Sequence, residues 1–313
     1  MTHQSPRKNP YSLLSWLLIF SIPAFWSVNY LVARRAPALI SPHALAFARW
    51  AMAALLLSVF AWPELKAKRR LIWAERWHAL ALGMLGMWIC GAWVYIAART
   101  TAANNIALIY ALSPMFIALG AALFLKEHLR KRQWMGVVLA LVGLVHVVIQ
   151  GRWNAIASIE FFAGDLWVMG CAIAWALYSV LLKRWPTSFS PLARLVLIAS
   201  AGALFTLPLA LIEAASGLPF TQTVWNWQTA GLVLAAAVFP SSGAYLAYGV
   251  LQKRIGAART ALVLYLGPLY AAALAWFVLG EPLHIYHAIG ALIILPGIFL
   301  ASQSKPGLPP ARE

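Results

Sequence analysis

Apolar residues run in long unbroken stretches along this chain, and polar residues gather in the short gaps between them. A stretch of roughly 18 to 25 residues, wound as a helix, is long enough to cross a hydrocarbon layer about 30 Å thick. Ten such stretches are found: Leu13 to Ala33, Ser41 to Trp62, Trp77 to Ala98, Thr101 to Leu125, Arg130 to Ile149, Gly164 to Lys183, Pro191 to Glu213, Trp227 to Leu251, Gly256 to Leu279 and His284 to Ser302. The predicted fold class is therefore all-α integral membrane, with ten transmembrane helices. The longest gaps, around Gln150 to Ala163, Ala214 to Asn226 and Pro63 to Arg76, are too short for a separate domain, so function is expected within the bilayer. A polar lead followed by a full-length span without a small-residue cleavage site predicts an uncleaved first helix.

The pattern also repeats. Leu125, Glu127, Leu129, Gly136 and Gly143 recur with one constant offset as Leu279, Glu281, Leu283, Gly290 and Gly297, and Pro114 recurs as Pro268. Earlier in each half the offset is slightly shorter, pairing Trp26 with Trp175 and Pro42 with Pro191. Five spans separate equivalent points, and an odd number of crossings turns the second copy over, which predicts a 5+5 inverted repeat of residues 1–150 and 151–313.

Composition and charge agree with this. Hydrophobic residues make up 63% and charged residues 10% of the chain, against about 45–50% and 25% in soluble domains. The net charge of +16 would suggest nucleic acid in a soluble protein, but its placement explains it otherwise. With the N-terminus inside, only Arg34, Arg35, Arg99 and Arg152 lie in outward connections, and almost all other Lys and Arg lie in inward ones. The positive-inside rule then places both termini in the cytoplasm. The partners expected are the lipid bilayer and a small-molecule substrate, with no nucleic acid and a monomer favoured. Cys90 and Cys171 fall inside different spans and are expected to pack, and no metal or other cofactor is expected. His3, His43, His78, His128, His146, His284 and His287 are scattered and no H-E-x-x-H motif is present, so an enzyme is not expected.

Ten spans in a five-plus-five duplication, with Pro upstream of a Glu-x-Leu and Gly motif closing each half, resemble the drug/metabolite transporter superfamily, specifically its EamA-type exporters. Trp26 to Asn29, Pro42 with Arg49, and Gly164, Asp165 and Trp175 to Tyr178 match further signatures. The resemblance covers nearly the whole chain. It is closest to multi-pass exporters of the bacterial inner membrane that handle aromatic amino acids and amphipathic cations such as paraquat.

Inverted repeats place a substrate site where the halves meet, near the midplane, and imply alternating access. Aromatic residues away from the interfaces are the cavity candidates: Trp26 with Tyr30, Trp88 with Tyr95, Trp175 with Tyr178, and Tyr245 with Tyr248, each pair spaced to share a helix face. Such faces could hold a ring or a flat cation, with Asn29, Ser241 and Ser242 receiving polar ends. The alternative for each is packing between helices. Pro114 and Pro268 are candidate hinges, Glu127 and Glu281 candidate caps or gates, and the four glycines candidate helix seams. Arg49 is the deepest cation, read as a helix lock ahead of a substrate contact. No carboxylate falls at mid-membrane, so facilitated export or exchange is expected without an obligatory proton relay, with His146 as the main dissent. A sugar-phosphate or nucleotide-sugar antiporter is the rival reading; it would need at least two cations facing the cavity.

Overall fold

The computed structural model describes residues 12–97, 100–101, 103–127, 129–158, 160–217 and 222–302. Among them there is helix and no strand. Ten helices are long and apolar enough to cross a membrane: α1 (Leu13–Ala38), α2 (Pro42–Ala67), α3 (Arg69–Ala97), α4 (Asn105–Leu125), α5 (Lys131–Val148), α6 (Ala163–Arg184), α7 (Pro191–Ala215), α8 (Trp227–Ile255), α9 (Ala257–Val278) and α10 (Ile285–Ser302). Large apolar side chains stand exposed along them, among them Leu55, Phe60, Leu123, Leu204, Phe277 and Leu292. In water such belts would drive aggregation; in lipid they are the outer surface.

One connection differs from the reading of the sequence. The gap from Pro63 to Arg76 is helical, because α2 runs through Pro63 to Ala67 and α3 resumes at Arg69 after Lys68 alone. Hydropathy marks where a helix leaves the apolar layer, whereas the helix itself continues on local pairing, here Lys68 Nζ to Glu64 Oε1 at 2.8 Å, one turn apart.

Helices at matching places in the first five and the second five meet. α2 packs on α7 and α5 on α10, while α1 rests against α8 and α9 just as α6 rests against α3 and α4. Both like-with-like pairs run antiparallel. In α5 and α10, Gly136 lies against Gly297 and Ala301, and Gly143 against Ile293 and Ile294. A Cβ on Gly136 would sit 2.5 Å from the Gly297 carbonyl oxygen, and one on Gly297 2.6 Å from the Ala140 nitrogen. Only glycine lets these backbones touch, so the small-residue seam lies within one chain, between its fifth and tenth membrane helices.

The α2–α7 pair is fastened at each end by a glutamate of one helix on the start of the other. Glu64, near the end of α2, accepts from the Ser190 N–H at 2.9 Å and from the Ser190 hydroxyl. Glu213, near the end of α7, accepts from the His43 N–H at 2.9 Å and from its ring Nδ1 at 2.7 Å. A carboxylate at a helix N-terminus satisfies free backbone donors and meets the positive end of the dipole. Glu64 and Glu213 are separated by the same offset as Trp26 and Trp175, so the two fastenings are equivalent.

Two helices are wound more widely in the middle. α3 is π-helical over Gly83–Trp93 and α8 over Ala237–Ala244. These segments begin at equivalent positions and face the centre of the bundle. α4 and α9 are both interrupted: α4 breaks after Tyr110 and restarts at Ser113, while α9 tightens to a 3₁₀ helix over Ala261–Leu266 and restarts at Gly267. Pro114 and Pro268 sit in the first turns of the restarted pieces, where a missing N–H costs nothing. The residues before the restarts, Leu112 and Leu266, share φ −78° and ψ −18°.

Candidate functional site

At the junction of the halves α1, α6 and α8 bring their aromatic faces together. Trp26 meets its counterpart Trp175 edge-on, with centroids 5.5 Å apart at 79°. Tyr245 and Tyr248 complete the cluster, 6.0 and 5.6 Å from Trp26 and 5.5 and 5.3 Å from Trp175. Tyr178 stacks on Trp175 at 5.1 Å. Trp50 of α2, not among the sequence candidates, closes on Tyr245 at 4.9 Å and is fully buried. Each such ring pair is worth about 0.5–1.5 kcal/mol beyond its burial.

The wide turn of α3 holds this cluster. Two successive carbonyls in it accept side-chain donors: the Tyr245 hydroxyl on Gly86 at 2.9 Å, and the Trp50 indole on Met87 at 3.1 Å. Gly86 is required for another reason, since a Cβ there would stand 2.6 Å from the Tyr178 ring. Tyr248 and Ser179 share a hydrogen bond of 3.0 Å. The Trp175 indole N–H and the Ser241 hydroxyl are buried without a partner among the described residues. Ser242 turns back on its own helix, donating to the Ala237 carbonyl five residues earlier at 2.7 Å.

Trp88 and Tyr95 do not share a face. Trp88 stacks against Phe205 and meets Trp93 edge-on, away from the cluster. Tyr95 donates to Asn29 Oδ1 at 3.2 Å, and Arg49 Nη1 donates to the same oxygen at 3.2 Å. The wide turn over Gly83–Trp93 alters the angular advance per residue, so a spacing of seven no longer returns to one side. Arg49 also lies over the Trp50 ring, 4.8 Å from its centroid, and so ties α1, α2 and α3. Tyr30 falls on α1, but its side chain lies outside the described residues.

A cavity of about 170 Å³ runs from this cluster to one end of the bundle. Tyr178 and Tyr245 form its inner wall; Lys183, Trp185, Arg194, Gln252 and Lys253 surround its outer part, where α6 ends, α7 begins and α8 ends. Since a single water needs roughly 15 Å³ by this measure, the space suits a solute of about ten non-hydrogen atoms. The equivalent end of the other half, around the end of α1 and the start of α2, is filled instead. There Val32, Ala36, Ile40, Leu45, Val233 and Ala236 form a buried apolar cluster.

The carboxylates act at helix ends. Glu127 Oε2 accepts from the Ala257 and Ala258 N–H groups at 2.9 and 3.3 Å, capping the first turn of α9, which begins after Gly256 at φ +88°. Glu281 follows α9, its N–H reaching the Ala275 carbonyl at 3.4 Å. Asp165 receives the Phe162 N–H at 2.9 Å, the Asn105 amide at 3.0 Å and the Thr101 hydroxyl. His146 lies away from the cavity, where the Trp153 indole donates to its Nδ1 at 3.2 Å. No grouping of His, Cys, Asp and Glu that could hold a metal occurs among the described residues.

Ten helices able to cross a membrane, gathered around a cavity with aromatic walls, are the arrangement of a small-solute membrane transporter. The EamA-like transporter family profile matches residues 13–149 and 162–303, and the chain belongs to that family. The uncharacterized transporter YyaM of Bacillus subtilis strain 168 is 26% identical over 287 residues, covering 92% of this chain and 93% of that one. Another uncharacterized transporter, from Archaeoglobus fulgidus, is 25% identical over 291 residues, covering 92% and 97%. A protein crystal structure superposes with a TM-score of 0.73 at 19% identity, covering 92% and 96%, and so shares the fold. The protein is a transporter and not an enzyme.

Proposed function

We propose that the chain exports small organic solutes, neutral and aromatic amino acids first among them, across the bacterial inner membrane by alternating access. The observation that carries this is the meeting of Trp26 with Trp175 directly behind Tyr178 and Tyr245, the inner wall of the cavity. Equivalent residues of two halves at one solute-sized site are what an inverted repeat provides at its axis. The antiparallel pairing of α2 with α7 and α5 with α10 supports the inversion. Charge supports both termini lying in the cytoplasm, which turns the open end of the cavity inward. In the cycle proposed, α4 and α9 flex at the breaks before Pro114 and Pro268 while the cluster passes the solute from one end to the other. Glu127 helps to hold α4 against the start of α9, and Glu281 takes the matching place after α9.

Among the described residues no carboxylate lines the cavity, and in the cycle proposed net flux follows the solute gradient without an obligatory proton. The test is counterflow of radiolabelled phenylalanine or tryptophan into vesicles holding the purified chain, with equal pH on both sides. Uptake driven by internal unlabelled amino acid is expected. Uptake that depends on an imposed pH difference overturns the facilitative mechanism; no uptake of any amino acid overturns the substrate.

A further inference from the structure

The outer part of the cavity carries three cations, Lys183, Arg194 and Lys253, and its wall includes no Asp or Glu. The positive-inside rule accounts for lysines at the ends of α6 and α8. It does not account for Arg194, which is buried at 8% exposure in the first turn of α7, where the helix dipole repels a cation. Arg194 donates from Nη1 to the Leu182 carbonyl at 2.8 Å and from Nη2 to the Trp185 carbonyl at 3.2 Å. Those bonds fix the guanidinium plane and leave further donors, since the group has five. Lys183 reaches only the Gln252 carbonyl, at 3.5 Å. Among the described residues the ion pairs are His43–Glu213 and Lys68–Glu64, so none of the three cavity cations is paired. Two carboxylates outside the cavity wall act on these cations: Glu75, in an adjoining crevice that Arg194 also lines, and Glu64, which acts on Lys253. Both are engaged elsewhere, Glu75 by the Thr187 hydroxyl and the Ser188 N–H, and Glu64 by Lys68 and Ser190.

Unpaired cations of one sign around a partly enclosed space set up a field that draws an anion and rejects a cation. Tyr178 and Tyr245 at the inner wall offer ring faces to an apolar body. From this we infer that the cavity selects organic anions: a carboxylate or phosphate held between Lys183, Arg194 and Lys253, with the apolar part of the solute against Tyr178 and Tyr245. The inference rests on the transporter reading and narrows its substrate class. It admits an amino acid through its carboxylate and a phosphorylated solute on the same terms. It excludes a dication such as paraquat, which the family resemblance would have allowed.

The experiment is competition in counterflow, comparing phenylalanine, phenylalaninamide and phenyl phosphate, which carry a phenyl ring and differ in the charged group, with paraquat added as the dication. Vesicles of phosphatidylcholine are used with and without phosphatidylglycerol, and Lys131→Gln, on α5, serves as the charge-matched control outside the cavity. For the wild-type chain the acid or the phosphate is expected to be preferred over the amide by about tenfold or more, as two charge-assisted hydrogen bonds would give. The double variant Lys183→Gln/Lys253→Gln is expected to lose most of that preference through KM while keeping its protein level. Arg194→Lys, which keeps the charge but not the fork, is expected to lose part of it. Equal transport of acid, phosphate and amide by the wild type overturns the inference and leaves the transporter reading standing. A preference that appears only with phosphatidylglycerol also overturns it, assigning the cations to lipid headgroups. Absence of counterflow with every solute overturns the transporter reading itself.

Discussion

The two ends of the α2–α7 pair are fastened alike and filled differently. At one end Glu64 holds Ser190, and the cavity with Lys183, Arg194 and Lys253 lies beside the fastening. At the other Glu213 holds His43, and the space beside it is packed with Val32, Ile40 and Leu45. At the repeat offsets Arg194 corresponds to Leu45 and Tyr178 to Asn29, whereas Lys183 and Lys253 correspond to the arginines Arg34 and Arg99. The ionic fastenings therefore do not decide which end is open. Apolar packing around Leu45 fills one end, and Arg194 at the matching position borders the cavity at the other.

The largest effect should come from giving the sealed end the charge of the open one. Leu45→Arg would bury an unpaired guanidinium at a site with 1% exposure, a cost on the order of 3–5 kcal/mol. Little folded protein is expected in detergent by size-exclusion chromatography. A stable, monodisperse variant would mean that this end already admits water.

Trp26→Ala and Trp175→Ala come next. Trp26 touches Trp175, Tyr245 and Tyr248, and losing several such contacts is expected to slow counterflow by about thirtyfold to a hundredfold. If the two ends take turns opening, both tryptophans should matter comparably. A defect confined to one of them would make the site one-sided.

Accessibility gives a third measure. In a Cys90→Ser/Cys171→Ser background, Lys183→Cys should react with a membrane-impermeant maleimide about tenfold faster than Leu45→Cys. Equal rates would erase the difference between the ends. The smallest effects are expected for Glu64→Gln and Glu213→Gln, each costing about 1–2 kcal/mol of thermal stability in detergent. Glu213→Gln should in addition speed exchange a few-fold, by loosening the sealed end. Equal rate effects from both would show that the fastenings share in gating.

Much of this arrangement could be read from residue order. The ten spans follow from hydropathy because lipid leaves a helix no other way to satisfy its backbone, and the Trp26–Trp175 meeting follows from the repeat. The glutamate fastenings were within reach, since Glu64 and Glu213 keep the tryptophan offset. A search for carboxylates in mid-membrane passes over those at helix ends. Trp88 and Tyr95 went to separate places because a π turn leaves no mark on apolar spacing. The cavity cations were hidden because Lys183, Arg194 and Lys253 come from three helices, and only their convergence removes them from the set that membrane orientation explains. Trp50, adjacent to Arg49, looked like one more apolar residue of α2 until its indole was found on the Met87 carbonyl.

The wide turns of α3 and α8 bear on ancestry. π-helix makes up well under about 1% of residues in folded proteins, yet it occurs here in both halves, starting at equivalent positions, Gly83 and Ala237. One turn copied is the economical account of two that match.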